Sequence, residues 1–217
     1  MTDEKELHEG SLAFFGAVTA SVSHELNNVI SIIDQTAGLL GDLLAGVQYG
    51  RPLSEEQLQR IADKVKLQTE RGVGIIRRLN KFAHSADEPV REFDLNGVIE
   101  NLTALTERLA NLKAARQEIT LCEQPLLMTG NPFLTQQAVF LIIRELFDQA
   151  VRDDVLKVAV AKVDGRVRLE LSLSGKELRV PENIEYIKSL TGALGGELNV
   201  GPEKGDNTYE VILSGVK

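Results

Sequence analysis

The sequence has a single cysteine, Cys122, in 217 residues, which excludes an intramolecular disulfide framework and any multi-cysteine zinc cluster and fits a reducing cytosol. Basic charge is also short: 24 Lys and Arg against 32 Asp and Glu leave a net charge of −8, the opposite of the surface that general nucleic-acid binding needs. No stretch approaches the ~18 apolar residues of a membrane span, and Met1 to Gly10 is polar and acidic, unlike a secretory signal. No membrane insertion is expected, and the implied location is cytoplasmic. The remainder is globular in character. Hydrophobic residues make up 43% and charged residues 26%, which rules out wholesale disorder and fibrous classes, and the length accommodates one large domain or two small ones.

The chain divides into two halves of different pattern. From about Ser11 to Ala86 it reads as two long helices. In the first, Val22, Leu26, Val29, Ile33, Ala37, Leu40, Leu44 and Val47 recur at helical steps and form one apolar seam. Gly50 to Leu53 break that helix, and Ser54 with Gln57 makes a capping box that starts the second. The second seam is Leu58, Ile61, Val65, Gly72, Ile75, Leu79 and Phe82, interrupted by Gln68 and ending near His84. Such a hairpin has an apolar stripe too wide for one partner helix, so the expectation is a homodimer closed as a four-helix bundle.

Ser85 to Pro89 is a polar linker, giving domains 1–88 and 89–217. Beyond it, Asp94 caps a helix through about Leu112, followed by a strand near Ile119 to Cys122, an apolar run at Leu126 to Met128, and a helix from Pro132 to about Asp153. Val155 to Val163 and Val167 to Ser174 flank Asp164-Gly165, a hairpin signal. A helix over about Pro181 to Leu194, ended by Gly195-Gly196, and strands at Glu197 to Val200 and Thr208 to Ser214 complete an α+β domain.

Of three histidines, His24 alone sits well inside a helix with a distinctive neighbourhood, Ser21-Val22-Ser23-His24-Glu25-Leu26-Asn27-Asn28. At about 100° per residue, His24 lies roughly opposite the seam and faces solvent. Ala17, Ala20, Ser21, Asn28, Ser31 and Gln35 share its face, small or polar neighbours suited to a docked protein. A neutral imidazole is a competent nucleophile toward phosphorus. Glu25 is the nearest carboxylate for the ring's other nitrogen, although residues one apart on a helix do not face each other; Asn28, one turn on, is placed to orient a water or meet a partner. His8 near the start, His84 near a helix end and Cys122 in a strand are read as structural. Lys64, Lys66, Arg71, Arg77 and Arg78 form a basic strip on the second helix, read as ordinary solvated charge, with use by an acidic receiver surface as the alternative.

Ser23-His24-Glu25-Leu26-Asn27-Asn28 resembles the phosphoacceptor box of bacterial two-component histidine kinases. Arg77 to Ala83 is similar to the end of that family's second dimerisation helix, and Phe93-Asp94-Leu95-Asn96-Gly97-Val98-Ile99 to the start of its ATP-binding domain. The resemblance spans nearly the whole chain. It implies that His24 carries the phosphoryl group, that Glu25 assists transfer, and that Asn28 serves partner contact or dephosphorylation. It implies a dimeric helical bundle joined to an α+β sandwich of the kinase ATPase type, with response-regulator receiver domains as partners.

The resemblance weakens where ATP chemistry lives. Arg144 to Ala150 is similar to the helix that supplies a glutamate and a magnesium-binding asparagine, with Glu145 matching and Gln149 in the asparagine position. Where the family has an Asp-x-Gly-x-Gly loop this chain has Ser172 to Glu177 without the aspartate, and Leu178 to Glu185, in place of a lid and second glycine box, has no glycine. Backbone amides approach phosphates closely only where glycine permits it. The reading is therefore a histidine phosphotransfer protein that takes phosphate from one receiver aspartate and passes it on without ATP. It needs no cofactor or metal of its own, Mg2+ coming with the receiver domain. The alternatives are an ATP-dependent sensor kinase with an atypical pocket and a non-catalytic dimeric scaffold for response regulators.

Overall fold

Ser54 starts the second helix as the capping-box pattern predicts: its backbone N–H donates to Gln57 Oε1 at 2.9 Å and Gln57 N–H donates to Ser54 Oγ at 3.2 Å, satisfying two amides the helix would leave orphaned. The computed structural model describes residues 4–174, 182–203 and 206–214. The two long helices are α1, Glu4–Gln48, and α2, Glu55–Ala83. α1 starts before the expected Ser11. It ends with Gly50 in the left-handed region at φ 78° while Arg51 N–H reaches back to the Gly46 carbonyl at 3.1 Å, a stop that glycine makes without a Cβ penalty.

The chain forms two compact units, and their boundary is not the 88/89 linker: one unit is Thr19–Asn80, the other Met1–Val18 together with Lys81–Lys217. The first is the body of the hairpin. There Val22, Val29, Ile61, Gly72 and Ile75 are buried, and a Cβ on Gly72 would stand 3.4 Å from the Val29 side chain, so the helices approach closely at that level. Thr36, also buried, spends its hydroxyl on the Ile32 carbonyl at 2.6 Å. Not all of the seam is covered. Leu44 is 51% and Val47 45% exposed, and Ile30, Leu58, Val73 and Ile76 are exposed elsewhere on the two helices, because one partner helix shields only part of so wide a stripe. The Gln68 side-chain oxygen is buried without a hydrogen-bond partner among the described residues.

Contrary to the sequence reading, α1 meets the length and composition criteria of a membrane span: an 18-residue window averages a hydropathy of 1.3. Counting only unbroken apolar runs hid this, since Asn, Ser, Gln and Gly dilute the run without carrying charge.

The second unit begins with aromatics from both long helices. Phe14 meets Phe82 edge-on at 5.2 Å between ring centroids and also touches Phe133 and Phe140, while Phe15 stacks on Phe82 at 5.5 Å. These rings gather five of the seven phenylalanines, and they explain why the ends of α1 and α2 belong to this unit. A 3₁₀ turn, His84–Ala86, follows, with buried Ser85 bonding the Phe82 carbonyl.

The strands and helices of this unit are β1 Arg91–Asp94, α3 Leu95–Leu112, β2 Arg116–Thr120, β3 Leu127–Gly130, α4 Pro132–Gln149, β4 Val155–Val163, β5 Arg166–Leu173, α5 Ile184–Ala193, β6 Glu197–Glu203 and β7 Asp206–Leu213. β1 pairs antiparallel with β3, and a five-stranded sheet runs β2-β4-β5-β7-β6, parallel only at β2-β4. Alternate residues of β4, β5 and β7, among them Leu156, Val158, Leu169, Leu171, Tyr209 and Val211, are buried on the inner face with α3, α4 and α5. On the outer face, Arg168 bridges Glu170, at 2.7 Å, and Glu210. A groove of about 500 Å³ lined by Val163, Arg166, Arg168, Glu210 and Ile212 also lies there.

Local chemistry accounts for most boundaries. Asp94 caps α3 by accepting from Asn96 N–H and also from Leu126 N–H at 2.9 Å, and the buried Asn96 amide holds the Cys122 and Gln124 carbonyls at 3.0 Å each. Asp164 and Gly165, both at positive φ, make the two-residue turn. Several elements differ from expectation. β1 was not foreseen, and β2 ends at Thr120 before Cys122. α4 stops at Gln149, because the Asp154 carboxylate takes the Val151 N–H at 2.7 Å and Asp153 turns to φ 68°. Pro181, the expected start of α5, lies outside the described residues.

Two outcomes follow. Phe82 is fully buried among the rings, so Phe82→Ala is expected to cost about 3–5 kcal/mol, read as a lowered urea midpoint. Burial, with Glu145's charge adding, pushes the Tyr209 hydroxyl up to about 12. The folded state therefore keeps a proton that the unfolded chain loses near pH ~10, so this contribution is whole below pH ~10 and is lost as pH rises toward ~12, about 2–3 kcal/mol in all. Urea midpoints across that window should fall more steeply for the native protein than for Tyr209→Phe.

Candidate functional site

Helical pitch builds the His24 site. With Val22 and Val29 buried in the hairpin, His24 on the opposite side of α1 is exposed, as are Ala17, Ala20, Asn28, Ser31 and Gln35, and Ser21 is half-exposed. Asn28 Nδ2 lies 3.4 Å from His24 Nδ1, one helical turn away. A primary amide serves either ring tautomer: the NH2 donates to a bare Nδ1, or, turned over, the oxygen accepts from Nδ1–H and leaves Nε2 as the open lone pair. Nε2 has no protein partner among the described residues.

Glu25 does not meet the imidazole. About 100° further round α1, its carboxylate points toward α2 and accepts from Arg71 Nη2 at 2.9 Å. His24 and Asn28 are thus brought together, while Glu25 is held one position aside by Arg71, which the sequence reading placed in a basic strip without a partner of its own. No local spacing could have signalled that pair, because the partners lie 46 positions apart and only the hairpin register joins them.

The region where the sequence places a degraded nucleotide site lies on α4. Glu145 is half-buried and its carboxyl is raised above the ordinary range, chiefly by desolvation, with Asp148 and Glu182 adding and Arg144 and a hydrogen bond from Asn183 opposing. Gln149 Nε2 donates to the Glu145 backbone carbonyl at 3.4 Å, along its own helix. Ser174, just after β5, accepts from Val155 N–H at 3.1 Å. Gly175 to Pro181, within the segments read as lacking the aspartate and the glycines, lie outside the described residues. Asn183, just before α5, is the missed residue here; its side chain turns to Glu145 in place of capping α5. Glu145 is thus partly desolvated and engaged by Asn183, and the Gln149 amide is bonded along its own helix. Among the described residues no cluster of His, Cys, Asp and Glu is grouped to hold a metal ion.

No protein-family model and no curated protein matches the sequence. Solved structures do match. A histidine kinase from Burkholderia phymatum superposes with a TM-score of 0.51 at 12% identity, covering 94% of this chain and 98% of that one. The catalytic domain of histidine kinase ThkA gives 0.53 at 12% identity over 59% of this chain and 97% of that one. ThkA in complex with the response regulator TrrA gives 0.50 at 15% identity over 93% of this chain and 62% of that one. At such identities the likeness is one of fold: a helical N-terminal part followed by an α/β sandwich like the ATPase domain of the bacterial two-component histidine kinases, which makes this chain histidine kinase-like in architecture.

Proposed function

We propose that this protein is a cytoplasmic histidine phosphotransfer protein of a two-component phosphorelay. It accepts a phosphoryl group on His24 from the aspartate of a response-regulator receiver domain and passes it on without ATP. The observation that carries this reading is the exposed His24 ring, steadied at Nδ1 by Asn28 and open at Nε2. In the transfer, the Nε2 lone pair forms the bond to phosphorus and the acyl phosphate P–O bond breaks. The electron pair returns to the receiver's carboxylate, while Nδ1 keeps its proton against the Asn28 oxygen. Mg2+ enters with the receiver, and Ala17, Ala20, Ser21, Ser31 and Gln35 form the docking face.

Support for doing without ATP comes from the sequence, Ser172 to Glu177 lacking the aspartate and Leu178 to Glu185 the glycines, and from Glu145 and Gln149, engaged as described. The competing reading, an ATP-dependent kinase with an atypical pocket, is supported by the retained Glu145 and by the fold shared with histidine kinases. A regulator-binding scaffold is the third. A homodimer is supported by the uncovered Ile30, Leu44, Leu58, Val73 and Ile76, which a second hairpin would bury in a four-helix bundle.

Isothermal titration with an ATP analogue and magnesium is expected to show no binding up to millimolar ligand; saturable micromolar binding would move the kinase reading to the front. Labelled receiver domains are expected to transfer acid-labile phosphate to the wild type and not to His24→Ala. Asn28→Ala should slow the transfer about tenfold, the worth of one hydrogen bond. Binding without transfer would leave the scaffold. Sedimentation equilibrium at micromolar protein should return twice the chain mass.

A further inference from the structure

α1 carries no lysine or arginine after Lys5, and Glu25 is its only acidic residue between Glu9 and Asp34. An anionic phosphoryl donor approaching His24 therefore meets a helix whose nearest formal charge is negative, on a protein of net charge −8. Within the hairpin, a cation near that point has to come from α2. Arg71 supplies it: its Nη2 donates to Glu25 Oε1 at 2.9 Å, with the Glu25 side chain 23% exposed and Arg71 51% exposed. The carboxylate is mostly covered while the guanidinium still faces water. One bond to Glu25 leaves most of the guanidinium's five N–H donors available, in the planar fork that binds phosphate oxygens as readily as carboxylate. An exposed pair of this kind adds little to stability, so hairpin cohesion is a weak reason for it.

We infer that Arg71 is the cation of the phosphotransfer site: Glu25 anchors its guanidinium beside the His24 turn, where its remaining N–H groups meet the phosphoryl oxygens as phosphorus approaches Nε2. This rests on the phosphotransfer reading and gives Glu25 its part as the anchor of Arg71, in place of direct contact with the ring.

The test compares two small electrophiles on the same nitrogen of the full chain. Phosphoramidate is anionic; Nε2 forms the N–P bond, the donor's own P–N bond breaks, and ammonia leaves with the electron pair. Diethyl pyrocarbonate is uncharged. Both products are quantified on the His24 peptide by mass spectrometry, with His24→Ala as the blank. Arg71→Ala is expected to slow phosphorylation about tenfold while leaving carbethoxylation within about twofold, and Arg71→Lys, which keeps the charge, should retain most of the phosphorylation rate. Unchanged phosphorylation in Arg71→Ala, or an equal fall in both reactions, would overturn the inference, the second outcome marking a purely structural residue. Absence of phosphoramidate label on wild-type His24 would overturn the inference and the phosphotransfer reading together. Receiver-to-His24 transfer that proceeds at the same rate in Arg71→Ala would sink the inference alone. A charge-dependent phosphoramidate reaction with no transfer from any receiver would sink the reading and leave Arg71 as the cation at His24.

Discussion

The packing of α1 against α2 is the constraint on which the candidate site depends. Val22 and Val29 must be buried, Gly72 lets the helices approach at the level of Val29, and a helix turning about 100° per residue then leaves residue 24 only the solvent side. The same rotation carries residue 25 toward α2 and residue 28 back beneath the imidazole. Exposure of His24, its contact with Asn28 and the diversion of Glu25 to Arg71 are three consequences of one seam.

In the other unit the organising element is α4. Its central residues, including Gln137, Ile142, Ile143 and Leu146, are buried, and polar groups at such positions have to be paired. Gln137 answers to two elements at once: its oxygen accepts from Ser11 on α1 at 3.0 Å and its amide donates to the Tyr186 hydroxyl on α5 at 2.9 Å. A Cβ on Gly10 would fall 1.9 Å from that hydroxyl, so the first turns of α1 fit here because residue 10 is glycine. With the Phe14–Phe82 cluster, this makes the start of α1 a working part of the α/β unit.

How much of this was legible depended on how local the determinant was. The capping box at Ser54 and Gln57, the Asp94 cap, the Asp164-Gly165 turn and the exposure of His24 each follow from residues a few positions apart. Strand β1 escaped because four residues pair only with β3, some 35 positions on, and α4 was read too long because a side chain three residues ahead, Asp154, ends it. The membrane-like hydropathy of α1 was missed by looking for runs where the average was informative.

The sequence by itself determined the two long helices, the α+β pattern behind them and the placing of one histidine on a polar helical face, since periodicity, caps and turns act within a few residues. The tertiary structure decided where the units divide, what Glu25 binds and how Glu145 is engaged. Those outcomes rest on contacts between residues such as Phe14 and Phe82, Glu25 and Arg71, or Glu145 and Asn183, far apart along the chain, which no short-range pattern encodes and only the folded register of helices and sheet brings together.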